Sequence, residues 1–302
     1  MIKFVALICT LLLYGHPVAA NQEYRFIVMN PVGSGADQVA RRISRLVKEQ
    51  HNVTLIVNNI GAAGGMLAAQ QFKQERLAVV MANTSMLIYG PLAGNNDLAK
   101  TYNINDFNII ADLGLAASVW YTWSGSGINT PFDLIKVLPT LSNASIGVAS
   151  QDTMTNARAL VALKKLDLPV VMFKNHNETL TAVAGRHTTV GVAIMGTDSV
   201  WSLAEKGDIK ILGYSNTTAM QYRGHDLLPM SRMLDLPSFY GGSWIAITPG
   251  DGKEHRQLRI AIESVMKDRE LQTLIRQTWP LAQSVPFDHV HNTAKQYQHL
   301  MR

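Results

Sequence analysis

Cysteine is nearly absent. The 302 residues contain one, Cys9. It lies in an apolar N-terminal run, Phe4–Tyr14, that follows Lys3 and ends at Gly15-His16-Pro17-Val18-Ala19-Ala20. A positive start, a short apolar core and small residues at its end are the marks of a cleaved secretory signal. The reading is therefore a signal peptide over residues 1–20, a mature chain from Asn21 and a periplasmic location. Cleavage would leave no thiol, which excludes thiol catalysis and a disulfide framework. The N-terminal run is too short to span a bilayer, and no later apolar run reaches the required length of about 18 residues.

Charge is also scarce. Only 16% of residues are charged against 47% hydrophobic, so the helices should be held by packing rather than by salt-bridge networks. The net charge of +5 is spread along the chain. No basic run is interleaved with aromatics, so no nucleic-acid partner is expected. Catalytic and cofactor motifs are missing as well. Ser34, Ser85 and Ser150 lack the Gly-x-Ser-x-Gly context of a nucleophile elbow. Gly33-x-Gly35 opens like a dinucleotide fingerprint, but Gln38 stands where the next glycine belongs, and no Gly-Lys-Ser/Thr follows. His289 and His291 are two apart and do not share a helical face, and Glu254-His255 stands alone. No cofactor and no metal is expected.

What is present is a repeated unit of apolar strand, small-residue turn and helix. Tyr24–Met29 reads as a strand, and Asn30-Pro31-Val32-Gly33-Ser34-Gly35-Ala36-Asp37 as the turn after it. Ala36, Val39, Ala40, Ile43, Leu46 and Val47 then fall on one helical face. The first-turn amides of Ser34, Gly35, Ala36 and Asp37 are free donors, and a helix N-terminus of this kind suits an anion. The Asp37 carboxylate could cap those same donors. Taken alone, the stretch reads more simply as a glycine-eased strand-to-helix connection. Further strands are expected near 53–57, 77–81, 107–113, 118–123, 144–148, 170–173, 190–195 and 209–214, most with helices between them. This alternation implies parallel sheets covered by helices. Trp120, Trp123 and Trp244 read as core or hinge packing rather than cleft lining.

Two motifs carry a family resemblance. Gly33-Ser34-Gly35-Ala36-Asp37-Gln38-Val39-Ala40-Arg41 is similar to a Gly-Gly-x-x-Asp-x-x-Ala-Arg turn, with Ser34 in place of a glycine. Val57-Asn58-Asn59-Ile60-Gly61-Ala62-Ala63-Gly64-Gly65 is similar to Val-Glu-Asn-x-x-Gly-Ala-Gly-Gly. Both belong to the solute-binding components of tripartite tricarboxylate transporters, the Bug group of periplasmic receptors, of which the chain resembles a divergent member. The family's Asp-Gly-Tyr-Thr segment is replaced by Glu75-Arg76-Leu77-Ala78. Its Ser-x-Gly-x-Gly-Ser-x-x-His loop is represented only by Ser150–Asn156.

The resemblance implies an α/β, two-lobe periplasmic-binding-protein fold of type II-like form. Each lobe would be a mostly parallel sheet flanked by helices, with two interlobe crossings. The lobes would comprise 21–119 plus 241–302 and 120–240. The implied function is a non-enzymatic, monomeric receptor that captures a small organic acid between the lobes and delivers it to membrane permease subunits. An extracytoplasmic sensor and an α/β hydrolase are the alternatives. Candidate ligand contacts are Ser34, Gly35, Ala36 and Asp37 in the first lobe, with Ser150, Thr153 and Thr155 on the matching turn of the second. Ser85, Thr197 and Asp198 end other strands on the same sheet edges. Thr153 is equally readable as a helix cap.

Overall fold

The computed structural model describes residues 22–61, 65–94, 97–281 and 287–300. The expected signal segment therefore lies outside the described residues. In chain order, β1 (Gln22–Val28), α1 (Gly35–His51), β2 (Val53–Asn59), α2 (Met66–Gln74) and β3 (Val79–Asn83) open the fold. A π-helical turn, Ser85–Tyr89, runs into α3 (Gly90–Ala93), and β4 (Asn108–Ala116) follows. Next come β5 (Ser118–Trp123), α4 (Asp133–Lys136), β6 (Ile146–Val148), α5 (Gln151–Leu163), β7 (Val170–Met172), α6 (His176–Ala184) and β8 (Val190–Ile194). The chain continues through α7 (Asp198–Glu205), β9 (Ile209–Tyr214), β10 (Met220–Tyr222), β11 (His225–Leu227) and α8 (Met230–Leu234). It closes with β12 (Gly241–Ile247), α9 (Lys253–Val265), α10 (Arg269–Thr278) and α11 (Phe287–Gln296).

Two five-stranded sheets result, ordered β2-β1-β3-β12-β4 and β7-β6-β8-β5-β9. They are built alike. In the first, β1 pairs parallel with β2 and β3, while β12 is antiparallel to both β3 and β4. In the second, β6 pairs parallel with β7 and β8, while β5 is antiparallel to β8 and β9. Four strands of each sheet thus share a direction, and the one inserted strand opposes them. That strand is the one arriving from the other sheet, so its reversed direction follows from the crossing. The first crossing is a single residue, Ala117, between β4 and β5. The second runs from Asp235 to Tyr240. Asn156 on α5 ties both together: its Nδ2 donates to Ser118 Oγ at 3.1 Å and to the Phe239 carbonyl at 2.8 Å.

The α1 face expected from periodicity is the buried one, with Ala36, Val39, Ala40, Ile43, Leu46 and Val47 all in the core. Each large aliphatic side chain buried there contributes about 1.5–3 kcal/mol. The helix stops where Asn52 takes the left-handed conformation at φ 54°. Trp120 and Trp244 are 1% and 2% exposed, which confirms their packing role. The short α4 begins at Asp133, whose carboxylate accepts from the Asn129 and Thr130 amides and so organises the turn before it. Among the described residues, no helix is long and apolar enough to cross a membrane.

Candidate functional site

The parallel strands of both sheets end at one cleft, a cavity of about 1100 Å³. The first turns of four helices reach it: α1 from the first sheet, and α5 (through Asp152), α6 and α7 from the second. Each helix start carries partial positive charge on its free amides.

At α1, Ser34 is the N-cap, extended at φ −66° and ψ 161°, and its hydroxyl accepts from the Asp37 amide. Asp37 does not fill the remaining donors. It turns back and accepts from the Gly33 amide at 2.9 Å, from Arg41 Nε at 3.0 Å and from Asn59 Nδ2 at 3.0 Å. Burial works against its charge, but these bonds outweigh it and hold the carboxyl below its ordinary value. Among the described residues, nothing accepts from the amides of Gly35 and Ala36, and both residues line the cleft. Gly33 alone of the two turn glycines needs its freedom, at φ +82°. Gly35 is helical. Its missing side chain makes room for Thr278, whose Cγ2 and Oγ1 would lie 2.9 Å from a Cβ there.

Across the cleft, α6 starts at Asn175, whose side chain accepts from the Glu178 amide at 2.9 Å. His176 follows, with its Nδ1 buried and unpartnered, and burial pushes the ring's pKa down to about 4, so it stays neutral. At α7, the N-cap Thr197 makes no side-chain capping bond, and among the described residues no hydrogen bond engages its hydroxyl. Ser199 Oγ donates to Asn177 Oδ1 at 2.6 Å and joins the two helix starts. The β10–β11 hairpin leans over them. Tyr222 packs edge-on against Trp201 with ring centroids 4.8 Å apart, and Arg223 donates to Asp198 Oδ1. Arg276 of α10 also lines the cleft and, among the described residues, enters no ion pair; it reaches only Thr273 Oγ1, at 3.5 Å.

At the back of the cleft stands Asp152, 4% exposed. Its Oδ1 accepts from Ser85 Oγ at 2.5 Å and Thr84 Oγ1 at 3.3 Å, which joins α5 to the end of β3. Desolvation raises its pKa to about 6, against the pull of these two hydroxyls.

Of the residues singled out in the sequence, Ser34, Gly35, Ala36, Thr197 and Asp198 share the cleft lining. Asp37 lies behind it, as does Ser85 on Asp152. Ser150 and Thr153 form a capping box at the start of α5, with Ser150 as N-cap. The Thr155 hydroxyl donates to the Gln151 carbonyl at 2.8 Å. Thr153→Val should therefore lower stability by about 1 kcal/mol and leave ligand affinity unchanged. A titration showing weaker binding at unchanged melting temperature would return these hydroxyls to the site. The sequence shows a short helix from Glu178 to Ala184 but does not single out its start as part of the site, although Asn175-x-x-Glu178 is a helix-start spacing. Nor does it single out Asp152, whose partners are far away in sequence.

No family model matches the chain, and no curated protein sequence matches it. Solved structures do. A Rhodopseudomonas palustris protein solved with adipate superposes with a TM-score of 0.73 at 15% identity, over 93% of this chain and 97% of its own. MatC from the same organism, solved with malate, gives 0.72 at 16%, over 95% and 100%. A TctC solute-binding protein from Polaromonas gives 0.67 at 18%, over 94% and 99%. The chain thus has the two-lobe fold of periplasmic solute-binding proteins, and the family that its sequence resembles is represented among the structures sharing that fold.

Proposed function

We propose that the protein is a periplasmic receptor, not an enzyme, that captures a small organic acid in the interlobe cleft and delivers it to a membrane permease. It would act as a monomer, with lobes divided at the crossings at Ala117 and Asp235–Tyr240, close to the boundaries expected at 119/120 and 240/241. The observation that carries this reading is the pair of unpartnered amides at Gly35 and Ala36, which face the starts of α6 and α7 across the cleft. Backbone amides at a helix start donate to a carboxylate without needing a buried cation. Arg276 would draw the acid in, and Ser34, Thr197 and Asp198 would stand around it. The carboxylate ligands of the similar structures support the same ligand class.

A pair of variants tests the seat. Gly35 is the first helical residue and Ser34 before it is extended, a backbone that accepts proline. Gly35→Ala and Gly35→Pro both add a Cβ against Thr278, but only the second removes an amide. Losing one hydrogen bond to a charged group weakens binding by about 1.5–3 kcal/mol, so Gly35→Pro should bind succinate or 4-aminobutyrate about tenfold or more weaker than Gly35→Ala. Equal affinity of the two variants in calorimetry would mean that the carboxylate is held elsewhere.

A further inference from the structure

An acid-binding cleft gives no account of the carboxylate at its back. Asp152 is almost fully buried, yet the partners of its Oδ1 are two neutral hydroxyls. Among the described residues no Lys, Arg or His forms an ion pair with it. A buried charge without a counter-charge is costly. A second ligand carboxylate placed beside it would add like-charge repulsion. The approach to its other oxygen is kept open by a glycine. A Cβ on Gly241 would come within 2.9 Å of Asp152 Oδ2, and both residues line the cleft.

We infer that Asp152 selects the ligand, and that the ligand is a small zwitterion whose ammonium group bonds Asp152 while its carboxylate takes the α1 amides. This rests on the reading of α1 as the carboxylate seat. The two ends of the cleft then have opposite electrostatic character. The α1 start offers donors from the first sheet's side. Asp152, on α5 of the second sheet's side, offers an acceptor with a formal charge. A molecule with one carboxylate and one ammonium satisfies both ends and supplies the counter-charge that the protein withholds. A dicarboxylate satisfies one end only, unless Asp152 takes up a proton. Besides the residue's own first-turn amide, the partners of the carboxylate are Ser85 and Thr84, both on Oδ1, so Oδ2 on the Gly241 side is the oxygen offered to the ammonium.

The test is calorimetric titration at neutral pH with pairs of equal length: 4-aminobutyrate against succinate, and 6-aminohexanoate against adipate. The parent protein should bind at least one amino acid about tenfold tighter than its dicarboxylate partner. Asp152→Asn, which keeps the shape and an acceptor at Oδ1, should reverse that order. Gly241→Ala keeps the charge but covers Oδ2, so it should weaken the amino acids without improving the dicarboxylates. If Asp152→Asn does not fold, Gly241→Ala decides alone. A parent protein that prefers the dicarboxylates, or variants that leave the preference unchanged, overturns the role of Asp152 while the acid-binding reading stands. If no acid of either series binds, both fall together.

Discussion

Gly196→Val is expected to hold the lobes apart and to weaken ligand binding roughly 100-fold, because a receptor whose competent state is rarely populated loses affinity in proportion. Gly196 follows β8 in the second sheet. A Cβ there would meet the Thr278 carbonyl oxygen at 2.4 Å, about 1 Å inside ordinary contact. Thr278 is the last residue of α10, which packs on α1 in the other lobe. Backbone cannot step aside as a flexible side chain can, so the lobes must separate. The variant should keep its melting temperature within a few degrees, since neither lobe's core is touched. Small-angle scattering should report a larger radius of gyration that added ligand does not reduce. A variant that scatters and binds like the parent would show that the closed arrangement tolerates the extra group.

The second large effect concerns pH. Folding moves the Asp152 pKa from 3.8 to about 6. The folded chain thus holds this proton more tightly than the unfolded chain does. The resulting stability is fully present below about pH 4 and is lost as pH rises through 6. At pH 7 the folded protein carries a charge whose burial costs about 3 kcal/mol, at 1.36 kcal/mol per pKa unit. The groups facing it are its own first-turn amide, the Thr84 and Ser85 hydroxyls and the Tyr89 phenol, whose pKa is itself raised, by burial first and by the Asp152 charge second. Asp152→Asn should therefore melt about 5 °C higher than the parent at pH 7 and close to it at pH 4. The difference between the two proteins isolates this group, because depressed carboxyls such as Asp37 titrate in both. A difference that stays flat from pH 4 to 7 would place the Asp152 charge in a better-solvated setting. The proposed selection of a ligand ammonium is what the protein would gain for the stability this charge costs.

Sequence reading reached the elements whose signals are local. The α1 face was legible because six apolar residues keep a 3.6 period behind a Ser N-cap. The strands Ser118–Trp123 and Ile209–Tyr214 were legible to the residue, because apolar runs there stop at turn residues. The β10–β11 hairpin was not. Its strands have three residues each, too short to show alternation, and their partners are mainly each other. The cleft was half legible for a related reason. A helix start advertises itself in a few neighbouring residues, so Ser34–Ala36 could be found. Asp152 looks in sequence like any acidic residue in a first helical turn, where it would merely answer the dipole. What sets it apart is Ser85, 67 residues away. The same locality explains Ser150 and Thr153. Hydroxyls on a turn read equally as ligand donors or as caps, and only the distances of the capping box tell the two apart.

The inserted strands also impose an order on synthesis. β12 sits between β3 and β4, so the first sheet is split in two until residues near 247 have been made. The second sheet draws all of its strands from one continuous stretch, residues 118–214, and can close while the ribosome is still at work. Until then the stretch from β1 to β4 is an incomplete sheet with an open slot. A chain halted before β12 should yield one protease-resistant lobe attached to a degradable one.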